Sequence, residues 1–202
     1  MGAGCKSEVI APEVNTGTTV SWKWTNETKE LVAPLFVSFD KAQDAERFCP
    51  KYGALSKESR IAVWAEMFSA MALFESSWVP TNRYVETTFK EKDPVTGEPV
   101  TSEGLLQMSY QDTVNYAFWL GTGWCGFDWA KDKLLARTDA RKTIFDPKTN
   151  IGCAVKVMAN QIERTGKVIL SSGVYWAVLK DGGKYSQVKA ITGRVAKVKG
   201  CL

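Results

Sequence analysis

Between Arg60 and Trp78 the chain reads Arg-Ile-Ala-Val-Trp-Ala-Glu-Met-Phe-Ser-Ala-Met-Ala-Leu-Phe-Glu-Ser-Ser-Trp, an apolar run without Gly or Pro. The run predicts one long, mostly buried helix, which any fold must build around. Ile61, Trp64, Ala65, Phe68, Met71 and Ala72 recur at the three-and-four spacing of an apolar helix face. Glu75 falls fourteen residues after Ile61 and seven after Phe68, on that same stripe. Glu66 lies about 140° round, at about 100° per residue, and can reach water. Burial disfavours the charged form of an acid, so a carboxyl at Glu75 should titrate high and could donate a proton near neutral pH. The alternative at this point is a buried Glu neutralised by a Lys or Arg partner.

The chain of 202 residues, 45% hydrophobic with eight Trp, can bury one sizeable core. Its net charge of +4 suits a protein that meets anionic surfaces but is too small to argue for nucleic acid, and no nucleic-acid partner is expected. No apolar run approaches the ~20 residues of a membrane span. There is no histidine, which removes Ser-His-Asp and Cys-His nucleophile systems and the commonest zinc ligand. Acid–base chemistry must then fall to carboxylates, Lys, Tyr or Cys, and no metal or cofactor is expected.

Cysteines stand at 5, 49, 125, 153 and 201 without a C-x-x-C pair, so disulfides are the expected reading. Ala3-Gly4-Cys5-Lys6-Ser7 resembles the processed end of a bacterial lipoprotein, with Met1 and Gly2 in place of a removed signal peptide. A lipid on Cys5 would be the one route to a membrane and would leave four cysteines for two bridges. The other reading leaves Cys5 unpaired in an arm. Pairing order is not set by the sequence; Cys125–Cys153 with Cys49–Cys201 would join two loops to the core. Either way an exported protein is expected, whether periplasmic, an outer-membrane lipoprotein or secreted.

Residues 1 to 19 read as a tether, and 20 to 202 as a single domain. Thr19 to Trp24 alternates like a short strand or extended arm, pressing its Trp residues on the body. Glu27 to Phe39, interrupted by Pro34, is ambiguous. Asp40 to Cys49 predicts a helix capped by Asp40 and ended by Pro50, and Ser56 to Ser59 caps the central helix. From Trp78 to Gly104 no helical period appears; Tyr84 to Phe89 is β-prone and Asp93-Pro-Val-Thr-Gly97 is a turn, which together predict a small hairpin. Five acids (Glu86, Glu91, Asp93, Glu98, Glu103) against three bases make that stretch locally acidic. Further helices are expected over Ser109 to Leu120, with Val114, Ala117, Phe118 and Trp119 inward, over Asp128 to Arg137, from Pro147 to about Thr165, and over Val174 to Leu179. The aromatic, Gly-rich loop from Gly121 suits sugar stacking or plain packing. The last twenty or so residues are basic.

Three segments carry a further signal: Phe74-Glu75-Ser76-Ser77-Trp78, Ser102-Glu103-Gly104-Leu105-Leu106-Gln107-Met108-Ser109, and Phe145-Asp146-Pro147-Lys148-Thr149-Asn150-Ile151-Gly152-Cys153-Ala154. In that order they resemble the goose-type lysozyme and soluble lytic transglycosylase family. The resemblance implies a mainly α (α+β), lysozyme-like helical domain, with a small β-hairpin wing beside a groove for the β-1,4 glycan of peptidoglycan; separately, a monomer is expected. By matching position Glu75 would be the general acid on the glycosidic oxygen. Ser76, Glu86, Leu106, Gln107, Tyr110, Asn150 and Tyr175 would contact substrate or orient the carboxyl.

The chain departs from the family's pattern in three places. The connector before the second motif is longer; Tyr110 stands where Pro is frequent; and the fourth motif survives only as Ala177-Val-Leu-Lys-Asp-Gly182, without its Tyr, for which Tyr175 or Tyr185 could substitute. Hydrolysis with inversion needs a second carboxylate, with Glu103 and Glu86 the candidates, Glu103 because it abuts Gly104. Closure of the sugar's own 6-hydroxyl, which leaves 1,6-anhydro ends, needs none. The acids near the groove favour a lysozyme, and negative walls suit N-deacetylated glycan. The rivals are a non-catalytic cell-wall-binding protein on the same fold and an inhibitor or structural partner displayed at a membrane.

Overall fold

The computed structural model describes residues 22–202. Cys5 and the whole of the expected tether therefore lie outside the described residues. The fold is mainly helical with one two-stranded antiparallel sheet. Of the arm expected over Thr19 to Trp24 only Trp22 to Trp24 are described; Trp22 is buried, and the chain enters helix α1 (Thr25–Val32) directly after them. A 3-10 turn over Ala33–Leu35, starting at the proline, leads into the one-turn helix α2 (Phe36–Phe39).

The helix expected over Asp40 to Cys49 is absent apart from a 3-10 turn at Ala45–Arg47. Its polar groups are spent elsewhere. Asp40 pairs with Arg60 at 2.6 Å, and the Asp44 carboxylate accepts the N–H groups of Val168 and Ile169. The segment is a brace for a distant loop, and that tertiary use overrides local helical preference.

Helix α3 (Lys57–Ser76) is the expected central helix, capped by the Ser56 hydroxyl accepting from the Ser59 N–H. It is buried on nearly every side along its C-terminal two-thirds rather than on one stripe, and lies against α1 and against α8 (Val188–Val195). Glu66 reaches the surface and pairs with Arg194 at 3.1 Å. Strands β1 (Arg83–Val85) and β2 (Thr101–Glu103) form the expected wing, with Tyr84 opposite Ser102. In the loop between them the Asp93 carboxylate takes the N–H groups of Val95, Thr96 and Gln111.

The helix expected over Ser109 to Leu120 is broken into α4 (Asp112–Asn115) and α5 (Ala117–Leu120) at Tyr116. Tyr116 turns inward instead, so Val114, Phe118 and Trp119, expected inside, are exposed, Phe118 at 88%. The polar helix expected over Asp128 to Arg137 is the single turn α6 (Trp129–Asp132). Helix α7 (Pro147–Thr165) starts on the Asp146 cap and stops at Gly166 in the left-handed region, φ 68°. The expected helix over Val174 to Leu179 is one 3-10 turn, Ala177–Leu179.

Helix α7 packs on α1 and α2, and its inner face completes the main core with α3. Two disulfides pin loops to this core: Cys125–Cys153 fastens the Gly-rich loop to α7, and Cys49–Cys201 fastens the C-terminus beside the start of α3. Both fit an exported chain. No helix among the described residues is long and apolar enough to cross a membrane.

Candidate active site

Helix α3 ends one residue after Glu75 in an unusual way. The N–H of Ser77 bonds to the Leu73 carbonyl, the 5→1 bond of an αL closure, and that of Trp78 reaches the Ala72 carbonyl. Closures of this kind usually carry Gly, yet Ser77 and Trp78 both hold positive φ, 53° and 61°. Each costs of order 1 kcal/mol or more, and such strain gathers where a neighbouring group must be aimed. The Trp78 indole N–H bonds to the Ser69 carbonyl at 2.8 Å and holds the turn closed. The chain reverses sharply, and the wing brings Glu86 back within electrostatic reach of Glu75.

Glu75 is 4% exposed, and its Oε1 has no hydrogen-bond partner. Burial first, and then the charge of Glu86, push its carboxyl up to about 8. No Lys or Arg pairs with it among the described residues. The ion-pair reading of this acid is thus removed. Glu86 is also buried and also raised by burial, but the Ser102 hydroxyl donates to its Oε1 at 2.7 Å and pulls it back towards the ionised form. The two environments differ in the donor: Glu86 has one, Glu75 has none.

The pleat of β2 decides which acid sits where. Ser102 faces one side of the sheet with Glu86, while Thr101 and Glu103 face the other. Glu103 receives Lys142 Nζ at 2.9 Å and Arg83 Nε at 3.2 Å. Burial raises its pKa more than the two cations lower it. It lines a separate hollow of about 420 Å³ with Trp129 and Arg137. The structure therefore brings Glu86, and not Glu103, to Glu75.

Several expected contact residues are committed inside the fold. The Ser76 hydroxyl donates back to the Ala72 carbonyl at 3.0 Å. Leu106 is fully buried; its N–H donates to Asn150 Oδ1, and its carbonyl accepts the Trp176 indole. The Asn150 amide also donates to the carbonyls of Glu103 and Ile144, at 3.1 and 2.9 Å. Gly104 must be Gly here: its φ is 83°, and a Cβ would meet Asn150 Nδ2 at 2.3 Å. Tyr110 packs between Phe127 and Trp129 and donates to Asp132 at 2.7 Å, on the Glu103 side of the sheet.

Two expected residues lie on the Glu75 side of the sheet. Gln107 holds φ 48°, its amide N–H donates to the Gly104 carbonyl at 2.8 Å, and its buried Oε1 has no partner. The Tyr175 phenol donates to Asp112 Oδ2 at 2.5 Å and lies close enough to Glu75 to feel its charge. Glu75 Oε1 and Gln107 Oε1 are both buried acceptors waiting for a donor, which a substrate hydroxyl or N–H can supply.

Sequence reasoning missed Asp112, Asn82 and Ser102. Asp112 is buried, accepts the Ser109 N–H at 2.7 Å, and is raised to about 7, mainly by burial. Asn82 donates to the Glu75 carbonyl at 3.4 Å. Ser102 belongs to the second motif, and the alternation of β2 marks it as sharing a face with Glu86. A cleft of about 490 Å³ runs beside these groups, lined by Ser102, Ser109, Asp112, Tyr116, Trp119 and Tyr175 among others. No cluster of His, Cys, Asp and Glu suited to a metal occurs among the described residues.

No protein-family profile matches the chain, and no curated protein does. Solved structures of Bd0314 DslA do match. The wild-type protein in its form 2 superposes with a TM-score of 0.68 at 26% identity, covering 89% of this chain and 91% of that one. Two variants of the same protein, each with one glutamate replaced by glutamine, match at 25% identity with the same TM-score and coverage. The likeness thus runs through nearly the whole of both chains.

Proposed function

We propose that this protein is a peptidoglycan-degrading glycosidase, a lysozyme cleaving the β-1,4 bond of the glycan strand with Glu75 as general acid. The observation that carries the reading is the pairing of two buried acids in unlike surroundings. Glu75, without a donor, keeps its proton near neutral pH, while Glu86, hydrogen-bonded by Ser102, gives its proton up first. Two carboxyl groups pushed apart in this way divide the acid and base roles of a glycosidase. The two glutamates replaced in the Bd0314 DslA variants stand eleven positions apart in that chain, the same separation as Glu75 and Glu86. That a second carboxylate is present favours hydrolysis over anhydro-forming cleavage.

The walls also speak to the substrate. Glu86 and Asp112 are buried acids without a Lys or Arg partner among the described residues, and Asp112 lines the cleft. An ammonium entering here supplies the cation they lack, which favours N-deacetylated glycan over the acetylated polymer. The compartment consistent with this substrate and with two disulfides is the periplasm, the outer membrane surface or the exterior.

The test is to incubate wild type and Glu75→Gln with purified sacculi, native and chemically deacetylated, and to identify the products. Soluble muropeptides with reducing ends, richest from deacetylated wall and absent with the variant, are expected. Anhydro ends would refute hydrolysis, and a preference for acetylated wall would remove the amine reading. No soluble product from wild type would sink the enzyme reading altogether.

A further inference from the structure

The break at Tyr116 leaves a row of rings along the cleft. Tyr175, close to Glu75, has its centroid 6.1 Å from Tyr116, and Tyr116 lies 6.1 Å from Trp119 at the far end. Trp119 is 47% exposed although it is among the largest apolar side chains available to the core. Phe118 stands 5.5 Å away with its plane at 89°, completing an open aromatic step. The guanidinium of Arg164, from the last turn of α7, lies over the Trp119 ring at 4.4 Å and also lines the cleft.

Arg164 has no carboxylate within salt-bridge distance among the described residues. A guanidinium held against an aromatic ring by a cation–π contact keeps its N–H donors for a carboxylate, which it can grip with two parallel bonds. An exposed indole beside it offers a flat apolar face to a sugar ring. Away from Arg164 the cleft is lined by Asp112 and by no other Lys or Arg.

Resting on the glycan reading above, we infer that Trp119 and Arg164 form a distal subsite for a sugar whose 3-O branch bears a carboxylate, the ring lying against Trp119 and the carboxylate on Arg164. The acidic end near Glu75 takes amine-bearing sugars, and the Arg164 end takes the acidic branch. The two ends together set the register in which the strand lies across Glu75. In peptidoglycan the carboxylate is either a free lactyl group or an acidic residue of the attached peptide; both have the same chemistry at Arg164.

The experiment uses Glu75→Gln protein, which binds without cleaving, and measures affinity by titration calorimetry for three probes. These are chito-oligosaccharide, peptide-free oligomers of alternating GlcNAc and MurNAc, and the same oligomers with peptides attached. Adding Arg164→Ala should weaken the carboxylate-bearing probes by about three- to tenfold and leave chito-oligosaccharide unchanged. Arg164→Lys should recover only part of the loss, because a point charge replaces a fork. Trp119→Ala should weaken all three. Whichever carboxylate probe responds identifies the source, lactyl or peptide. Equal losses on all probes with Arg164→Ala, or no loss on any, would overturn the subsite while leaving the Glu75 reading standing. Failure of every glycan, the same oligomers after chemical deacetylation included, to bind the Arg164-containing protein would overturn both. Exposure of both side chains keeps these variants foldable, which unchanged melting temperatures would verify.

Discussion

The two faces of the small sheet carry buried acids that have met opposite fates. On one face Glu103 is enclosed between Lys142 and Arg83, and its charge holds the wing to the segment before α7. On the other, Glu75 and Glu86 are as well buried but share one hydroxyl donor between them and no cation. The residue type is the same and the burial is the same. Partner supply distinguishes a structural carboxylate from one left with a proton to give.

That contrast breaks most visibly in a crossed pair of substitutions. Glu75→Gln should cost about 10³-fold or more in sacculus cleavage with no loss of thermal stability, because it removes an acid that folding left unpaired. Glu103→Gln should do the reverse. It leaves Lys142 buried with no counter-ion, a loss of about 3–5 kcal/mol in urea denaturation, with cleavage by the folded fraction largely kept. If Glu75→Gln proves the less stable of the two, the two acids have been assigned to the wrong sides of the comparison.

A pH titration sharpens it. The Glu75 carboxyl titrates near 8 when folded and near 4.5 when unfolded. Between those values the folded protein holds a proton that the unfolded chain has released. The stability it contributes is complete below 4.5 and is lost as pH rises towards 8, by up to about 1.4 kcal/mol per unit. Burial raises Glu86, Glu103 and Asp112 in the same direction. Wild type should therefore weaken from pH 5 to 8 in denaturant melts, and Glu75→Gln should show a shallower slope by up to one proton. Parallel slopes would mean that Glu75 is ionised throughout.

The smallest expected effect is at Tyr175→Phe, which removes the donor from Asp112 and costs about 1–2 kcal/mol. Without that bond the Asp112 carboxyl should rise further above 7, seen as a shift of its carbon resonance in an NMR titration. An unmoved Asp112 titration would show that the phenol hydrogen is aimed elsewhere.

Much of this was readable from the chain. The length of α3, its Ser56 cap and the position of Glu75 follow from apolar content and spacing, because a helix of this burial tolerates few substitutes. The wing was visible in β-prone residues around a Pro-Gly turn. What failed was the assignment of faces where several partners compete. Asp40 to Cys49 has helical spacing, but Asp44 is worth more bonded to Val168 and Ile169. Phe118 and Trp119 have inward spacing, but the core took Tyr116 at the break instead. Glu103 sits beside the right motif, and only the pleat of β2 reveals that it points away from the cleft. Asp112 gives no local sign of its burial, since that depends on Tyr175, sixty-three residues later.

The bond between Cys49 and Cys201 spans 152 positions, so almost every described loop lies inside one covalent ring. A protease that cuts once in the exposed stretch of the wing would leave the two pieces tied together, and they would keep their places around the core. An exported chain can thus be nicked without falling apart. On a reducing gel such a protein would show two fragments, and on a non-reducing gel one.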